Sequence, residues 1–260
     1  MIARLAFDQG GADYLLLVAE RNGNVGPVVL EKGEDPGVVR VDVPYQLANL
    51  LSDIYPHLGT AKIAVVSRRC DERAIAELSK RGILDDSRIV RIGLACSEQQ
   101  IQECRCSDPV PSRVDVGEAA KAVPSDPVST RLAEMSSEDR LAFWIRQFRK
   151  CNKCYGCTIN CPVCFCDDCV LEERTYTPER GIPPGLAFHL IRSFHVADKC
   201  VECGECERSC PAEIPLLALR KMVSRDMRDL FGFTSGDAEG TSPLLTTLDE
   251  QPLEDDGDVC

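Results

Sequence analysis

Apolar positions recur along this chain with changing periods, and the changes mark its parts. Tyr14–Val18 and Val28–Glu31 are rich in aliphatic and branched residues, with Gly and Asn between them, which predicts two strands joined by a turn. From Pro44 to His57, Leu47, Leu50, Leu51 and Ile54 recur at helical spacing behind a proline near the start. Ala61–Ser67 is an apolar run of strand length, after which Asp71 is expected to cap a helix through DERAIAELSKRG, ended by Gly82. Ile89–Leu94 predicts a further strand, and Ser97 with Gln100 forms a capping box opening SEQQIQEC. Strand, helix, strand, helix with short connections implies an α/β domain, with a parallel or mixed sheet covered by helices.

Beyond residue 106 the periodicity fades. Residues 107–135 are rich in Pro, Ser and Asp and read as a linker or extended wrap. Ser136 and Asp139 open a helix with Leu141, Trp144, Ile145 and Phe148 on one face, and it runs straight into Cys151. After Pro215 a last helix carries Leu216, Leu219, Val223, Met227 and Leu230 on one side. From about Thr234 the chain has eight acidic residues and no basic ones, which predicts a disordered acidic tail ending in an unliganded Cys260. The expected division is an α/β domain over 1–106, a linker over 107–135, an α+β module over 136–232 with an insert at 162–199, and a tail over 233–260.

Composition adds one outlier. Of 260 residues 16 are cysteine, and eleven of these fall between 151 and 210. The N-terminal stretch MIARLAFDQGGADYLLLVAE is broken by Asp8 and Asp13 and offers no signal core. No run approaches the roughly 18–20 apolar residues of a membrane span. These features point to a reducing cytoplasm, thiolates held by metal rather than disulfides, and no direct membrane insertion. A net charge of −12 argues against nucleic acid as a partner.

The cysteines are ordered. Cys151, Cys154, Cys157 and Cys161 precede Pro162, and Cys200, Cys203, Cys206 and Cys210 precede Pro211, so C-x-x-C-x-x-C-x-x-x-C-P occurs twice. This spacing suits a cubane 4Fe–4S cluster, since two-residue gaps let a tight loop present three thiolates while backbone N–H groups turn toward the sulfurs. In two-cluster ferredoxins the fourth cysteine of each run ligates the other cluster. The expected sets are therefore Cys151, Cys154, Cys157 and Cys210 for the first cluster, and Cys200, Cys203, Cys206 and Cys161 for the second. Zinc sites favour two ligand pairs with a long spacer, which neither run provides.

Other cysteines remain. Cys164, Cys166 and Cys169 can supply three ligands to a third metal or redox site, with a fourth from Cys70, Cys96, Cys104 or Cys106; the alternative is a group of buried or redox-active thiols. Cys70 opens a helix beside Arg68 and Arg69, which is expected to lower its pKa and suit a ligand or reactive thiol; the alternative is a buried packing cysteine. His57, His189 and His195 are scattered and read as structural. Arg146, Arg149 and Lys150 form a solvated face or offset cluster charge. No G-x-G-x-x-G follows a strand and no G-x-x-x-x-G-K-[ST] loop exists, so no dinucleotide or triphosphate site is expected.

Residues 136–232 resemble a bacterial-type dicluster ferredoxin. KCYGCTINCPVCFCDDC (Lys153–Cys169) and KCVECGECERSCPAEIPL (Lys199–Leu216) resemble iron–sulfur subunits that accompany heterodisulfide reductases and formate dehydrogenases. AVVSRRCDERAIAEL (Ala64–Leu78) and RIGLACS (Arg91–Ser97) are similar to beta subunits of coenzyme F420-reducing hydrogenases and formate dehydrogenases. The chain differs from the hydrogenase-type subunits in its C-terminal module and short N-terminal region, and no flavin or deazaflavin ligand is carried over. The resemblance implies a non-catalytic electron-transfer subunit with two 4Fe–4S clusters, relaying electrons between partner subunits of an oxidoreductase of formate dehydrogenase, hydrogenase or heterodisulfide reductase type. Two alternatives stay open: a flavin- or deazaflavin-dependent beta subunit with its own catalytic site, and a thiol-based redox sensor built on Cys70, Cys96, Cys104 and Cys106.

Overall fold

Strand β1 (Tyr14–Arg21) is buried on both faces: Leu15, Leu17 and Ala19 enter one apolar cluster, Leu16 and Val18 another. A strand that reads as a continuous apolar run belongs at the centre of a covered sheet. In the computed structural model, which describes residues 1–121, 126–166, 168–175, 177 and 181–244, it does. β2 (Asn24–Glu31) pairs antiparallel with its full length through an Asn22-Gly23 turn, both residues at positive φ (52° and 76°), as a two-residue hairpin demands. β4 (Ile63–Ser67) lies parallel to the start of β1, the two-residue β3 (Val38–Val39) antiparallel to its end, and β5 (Ile89–Gly93) parallel to β4. The sheet is mixed, in the order β2-β1-β4-β5.

Helices α1 (Leu47–Ile54) and α2 (Arg69–Lys80) cover one face, packing Leu47, Leu51, Ile75 and Leu78 against Leu16, Ile63 and Val65. A π-helical turn at Arg4–Gln9 puts Ala6 on the other face with Leu15, Leu17 and Ile92. α3 (Glu98–Cys104) starts with the Ser97/Gln100 capping box. After β5 the chain doubles back so tightly that a Cβ on Gly93 would lie 1.6 Å from the Arg113 carbonyl oxygen, which explains that glycine.

Asp71 is not the N-cap residue of its helix, which begins two residues earlier at Arg69, but the third residue of its capping box. Its carboxylate, fully buried, accepts from Arg68 N (2.9 Å) on one oxygen and from Leu47 N (2.8 Å) and Ala48 N (3.1 Å) on the other. One side chain thus satisfies donors at the starts of α1 and α2, and clamps the two helices together.

The second half, expected to be α+β over 136–232, is helical, with no strand among its described residues: α4 (Pro127–Glu134), α5 (Ser137–Phe148), α6 (Gly156–Ile159), α7 (Leu186–Phe194), α8 (Glu205–Arg208) and α9 (Leu216–Phe231). α4 lies inside the segment expected to be a linker. Asp126 caps it and Pro127 starts it, a local signal that outweighs the Pro/Ser composition. Leu141 of α5 and Leu230 of α9 are 52% and 74% exposed, so the buried stripes are narrower than expected. Val163, Val196 and Val201 pack into the same core as Leu16, Ile63 and Ile75, so apolar burial runs unbroken from the sheet into the cysteine-rich half.

The described part of the expected tail also differs from expectation. Phe233 is buried, Arg73 donates to the Ser235 carbonyl (Nη2, 2.9 Å), Lys80 Nζ to those of Asp237 (2.7 Å) and Gly240 (3.1 Å), and Ser242 Oγ to Asp198 (2.6 Å). Basic side chains of α2 draw this strand of chain onto the domain through its carbonyls, which composition does not reveal. Residues 245–260, with Cys260, lie outside the described residues.

Burial raises the Asp71 pKa to about 6, against the opposing pull of the Arg68 backbone and charge and the Ala48 and Leu47 amides. The folded carboxyl then holds its proton where the unfolded one, with an ordinary value near 4, has lost it. The folded state therefore carries the excess proton between about pH 4 and 6, and stability falls as pH rises through that window, by on the order of 3 kcal/mol for this group. Denaturant titrations across pH 4–7 should show this slope in the wild type and its loss in Asp71→Asn; equal slopes would remove Asp71 as its source.

Candidate metal centres

The two cysteine runs fold alike. In the first gap of each, Lys153 (φ 57°) and Glu202 (φ 55°) are left-handed; in the second, so are Tyr155 (φ 61°) and Gly204 (φ 81°). Three of these four are not glycine, and such conformations cost about 1–2 kcal/mol each. Their effect is to curl each loop so that amides meet sulfurs: Lys153 N donates to Cys151 Sγ at 3.4 Å, and Glu202 and Glu205 amides donate to Cys200 and Cys203. A concave loop of backbone N–H groups suits bound negative charge. The third cysteine of each run sits in a four-residue helix, Cys157 in α6 and Cys206 in α8, and these two helices pack together.

The runs line two cavities. Cys151, Cys154 and Cys157 face one together with Cys210; Cys200, Cys203 and Cys206 face the other together with Cys161. Each fourth cysteine thus lies with the other run. Among the described residues no three of His, Cys, Asp and Glu converge tightly enough to hold a single ion. The thiols line each cavity in fours, the number a cubane cluster needs. Burial pushes the Cys200 thiol up to about 11 and Cys206 to about 12, so these thiols are neutral unless something positive replaces their protons.

Sequence reasoning missed two residues here. Arg192 on α7 and Arg220 on α9 are only 4% and 3% exposed, line both cavities, and have no carboxylate partner among the described residues. Arg192 Nη2 donates to the Cys157 carbonyl (2.8 Å), while its Nε and Nη1 have no conventional hydrogen-bond partner. Burial opposes its charge, yet the sulfurs of Cys161, Cys164 and Cys157 raise its pKa above the ordinary guanidinium value. Such a cation fits anionic cavities. Arg146, Arg149 and Lys150, the cations the sequence singles out, are exposed. His189 stacks on Phe148 (4.1 Å between ring centres) and is held neutral, with a pKa near 4, by burial and then by Arg220. His195 follows α7 and is exposed, and His57 lies in a short 3-10 turn.

The remaining cysteines separate into two groups rather than joining. Cys70, Cys96, Cys104 and Cys106 line one cavity in the N-terminal half, with Cys203 at its edge. Cys70 is at the start of α2, Cys96 follows β5, and Cys104 ends α3. Arg105, left-handed (φ 49°), turns the chain so that Cys106 faces the same way. Arg208 links this cavity to the second run, donating to Cys104 Sγ (3.3 Å) and to the Cys203 carbonyl (2.8 Å). Burial, aided by the Asp71 carboxylate, raises the Cys70 pKa well above its usual value; the lowering expected from the helix start and flanking arginines is overturned because desolvation is larger. Cys164, Cys166 and Cys169 line a different, open cleft of about 520 Å3. Every described cysteine is free of disulfide.

No family model matches the chain. Over 104 residues it is 42% identical to the F420-dependent formate dehydrogenase subunit beta of Methanocaldococcus jannaschii, a match covering 39% of this chain and 27% of that protein. Over 103 residues it is 41% identical to the F420-dependent formate dehydrogenase 1 subunit beta of Methanococcus maripaludis, covering 39% and 26%. The chain therefore spans about a quarter of the length of the curated relatives it matches. Among the described residues no helix is long and apolar enough to cross a membrane.

Lys153 gives a direct test of the loop geometry. Lys153→Gly should raise the thermal midpoint by about 2–4 °C by relieving roughly 1 kcal/mol of left-handed strain. Lys153→Val should lower it. Scanning calorimetry under anaerobic conditions checks both signs.

Proposed function

We propose that this chain is an electron-transfer subunit of an oxidoreductase, carrying two 4Fe–4S clusters on crossed ligand sets and a third on Cys70, Cys96, Cys104 and Cys106. The single observation that carries the reading is the exchange of Cys161 and Cys210 between two cavities whose only buried cations, among the described residues lining them, are Arg192 and Arg220. The third site is supported by four further thiols around one cavity, with an Asp108 amide donating to Cys106 as the loop amides do to Cys151 and Cys200.

When bound, such clusters supply one-electron transfer over a wide range of potentials. The chain's own part is electrostatic and steric. Cys151, Cys154, Cys157 and Cys210 hold the first cluster; Cys200, Cys203, Cys206 and Cys161 hold the second. The loop amides and the two arginines offset their negative charge, which favours the reduced state. Phe188, Ile214 and Leu216 wall the first cavity and Val163, Val196 and Val201 the second, limiting water. Cys203 borders both the second and third cavities, so those two are near neighbours and suited to passing electrons.

The names of the relatives support a beta-type subunit working with partner subunits of formate dehydrogenase type. The sequence resemblance adds hydrogenase and heterodisulfide reductase complexes as related settings, and the dense free thiols favour the reducing cytoplasm. Catalysis by a flavin or deazaflavin in this chain would show as cofactor absorbance in anaerobically purified protein, or as carrier reduction without partners.

Anaerobically purified chain should contain about twelve irons and twelve sulfides in these three sites. A count below about eight would overturn the two crossed clusters, and Cys96→Ser should remove about four irons from the third. In EPR-monitored redox titrations, Arg192→Leu should move the potentials of the adjoining clusters to more negative values, with Arg192→Lys close to wild type. A positive shift in the leucine variant would contradict the charge-compensating role.

A further inference from the structure

The insert between the cysteine runs is built so that apolar side chains anchor it and thiols are left facing outward. Val163 is buried and Phe165 packs against the same core, whereas Cys164 and Cys166 line the open cleft. Cys164 N donates to the Cys161 carbonyl (3.0 Å) in a turn, and Val163 lines the cleft alongside the two thiols. Cys169 reaches the same cleft at the entrance to the 3-10 turn Val170–Glu172, which buried Leu171 pins against α7. Lys199 sits 5.0 Å over the Phe165 ring and also lines the cleft.

Arg192 adds a buried cation to this place. Arg192, 4% exposed and with two nitrogens lacking a conventional partner, lines the cleft as well as the two cavities described above. Lys199 and His195 stand at the same cleft. Three thiols gather around one largely apolar space with Arg192 and Lys199 as cations and Asp168 and Glu172 as carboxylates at its lining, so it is the soft thiolates rather than a net positive charge that suit a metal cluster. Cys154 borders both this cleft and the first cavity, which puts the group beside the first cluster.

We infer that Cys164, Cys166 and Cys169 hold an additional iron–sulfur cluster through three thiolates, with its fourth iron facing the open cleft. The inference rests on the reading of the chain as an iron–sulfur protein, but on none of the eight crossed ligands. Three thiolates distinguish this site from the others. Its free iron corner is accessible to a small anion or to a side chain of a partner, and it terminates the series of sites at the surface.

The test uses the full chain purified anaerobically, as wild type, as Cys166→Ser and as Cys166→Ser with Cys169→Ser. Iron should fall by about four per chain in the double variant, while the EPR signals of the other clusters persist. Mild ferricyanide oxidation of the wild type should yield the signal of a three-iron cluster, because a cubane lacking a fourth thiolate sheds that iron, and the double variant should lack it. Full iron retention in the double variant, zinc in place of iron, or stoichiometric iodoacetamide labelling of all three thiols in the iron-loaded wild type would each overturn the inference. A wild type without iron would overturn the general reading instead, so the two failures are distinguishable.

Discussion

Two guanidinium groups buried without a carboxylate partner among the described residues set the electrostatics of this protein. A charge removed from water must find its opposite nearby or cost several kcal/mol. Arg192 and Arg220 find sulfur. They stand where α7 and α9 meet the cysteine loops, and around them are cavities with four thiols each. The arrangement is stable only when the thiols carry negative charge, and burial keeps thiols such as Cys200 and Cys206 neutral on their own. Each half of the site is therefore unfavourable without what the proposed clusters would bring. The left-handed residues of the loops add to this: strain at Lys153, Tyr155 and Glu202 is offset by amides that need an anion to point at.

The duplicated spacing was legible in the sequence because it is local. So were the β1–β2 hairpin, with its Asn22-Gly23 turn, and the Ser97/Gln100 box, since each depends on a few consecutive residues. What escaped depends on distance along the chain. Nothing near Arg192 in sequence distinguishes it from Arg146 or Arg149; only the packing of α7 against α9 buries it. Asp71 looked like the cap of one helix and serves two, because α1 approaches from more than twenty residues upstream. Cys70 has the neighbours of an activated thiol, but its burial outweighs them, and burial is a property of the fold. The chain after Phe233 has a disordered composition, yet carbonyls, which every residue owns, tie it to Arg73 and Lys80. In sequence, Cys164, Cys166 and Cys169 could take a fourth partner from Cys70, Cys96, Cys104 or Cys106; the fold lines a separate cavity with each group.

The cysteine-rich half is not an appendage. Val163, Val196 and Val201 complete the core beneath α1 and α2, and Arg81 joins Glu77 of α2 to Asp198 beside the second run. The Arg81–Asp198 pair, at 2.7 Å and nearly buried, is worth more than a surface bridge because both groups are already fixed. Cavities that share Cys154 at one end and Cys203 at the other are thus held at constant separation by a single packed interior. That rigidity suits electron exchange between neighbouring centres, whose rate is sensitive to distance.

The exchange of fourth cysteines has a consequence for how the protein is made. Synthesis runs from the N-terminus, and Cys161 emerges 49 residues before Cys210. The first cavity, begun at Cys151, stays open until almost the last helix has left the ribosome. The second is completed at Cys206, whose run must close back onto Cys161. A product cut short before Cys210 offers the first cavity only three of its four thiols. Completion of the first cavity is in this sense a closing step, which waits for synthesis to pass Cys210.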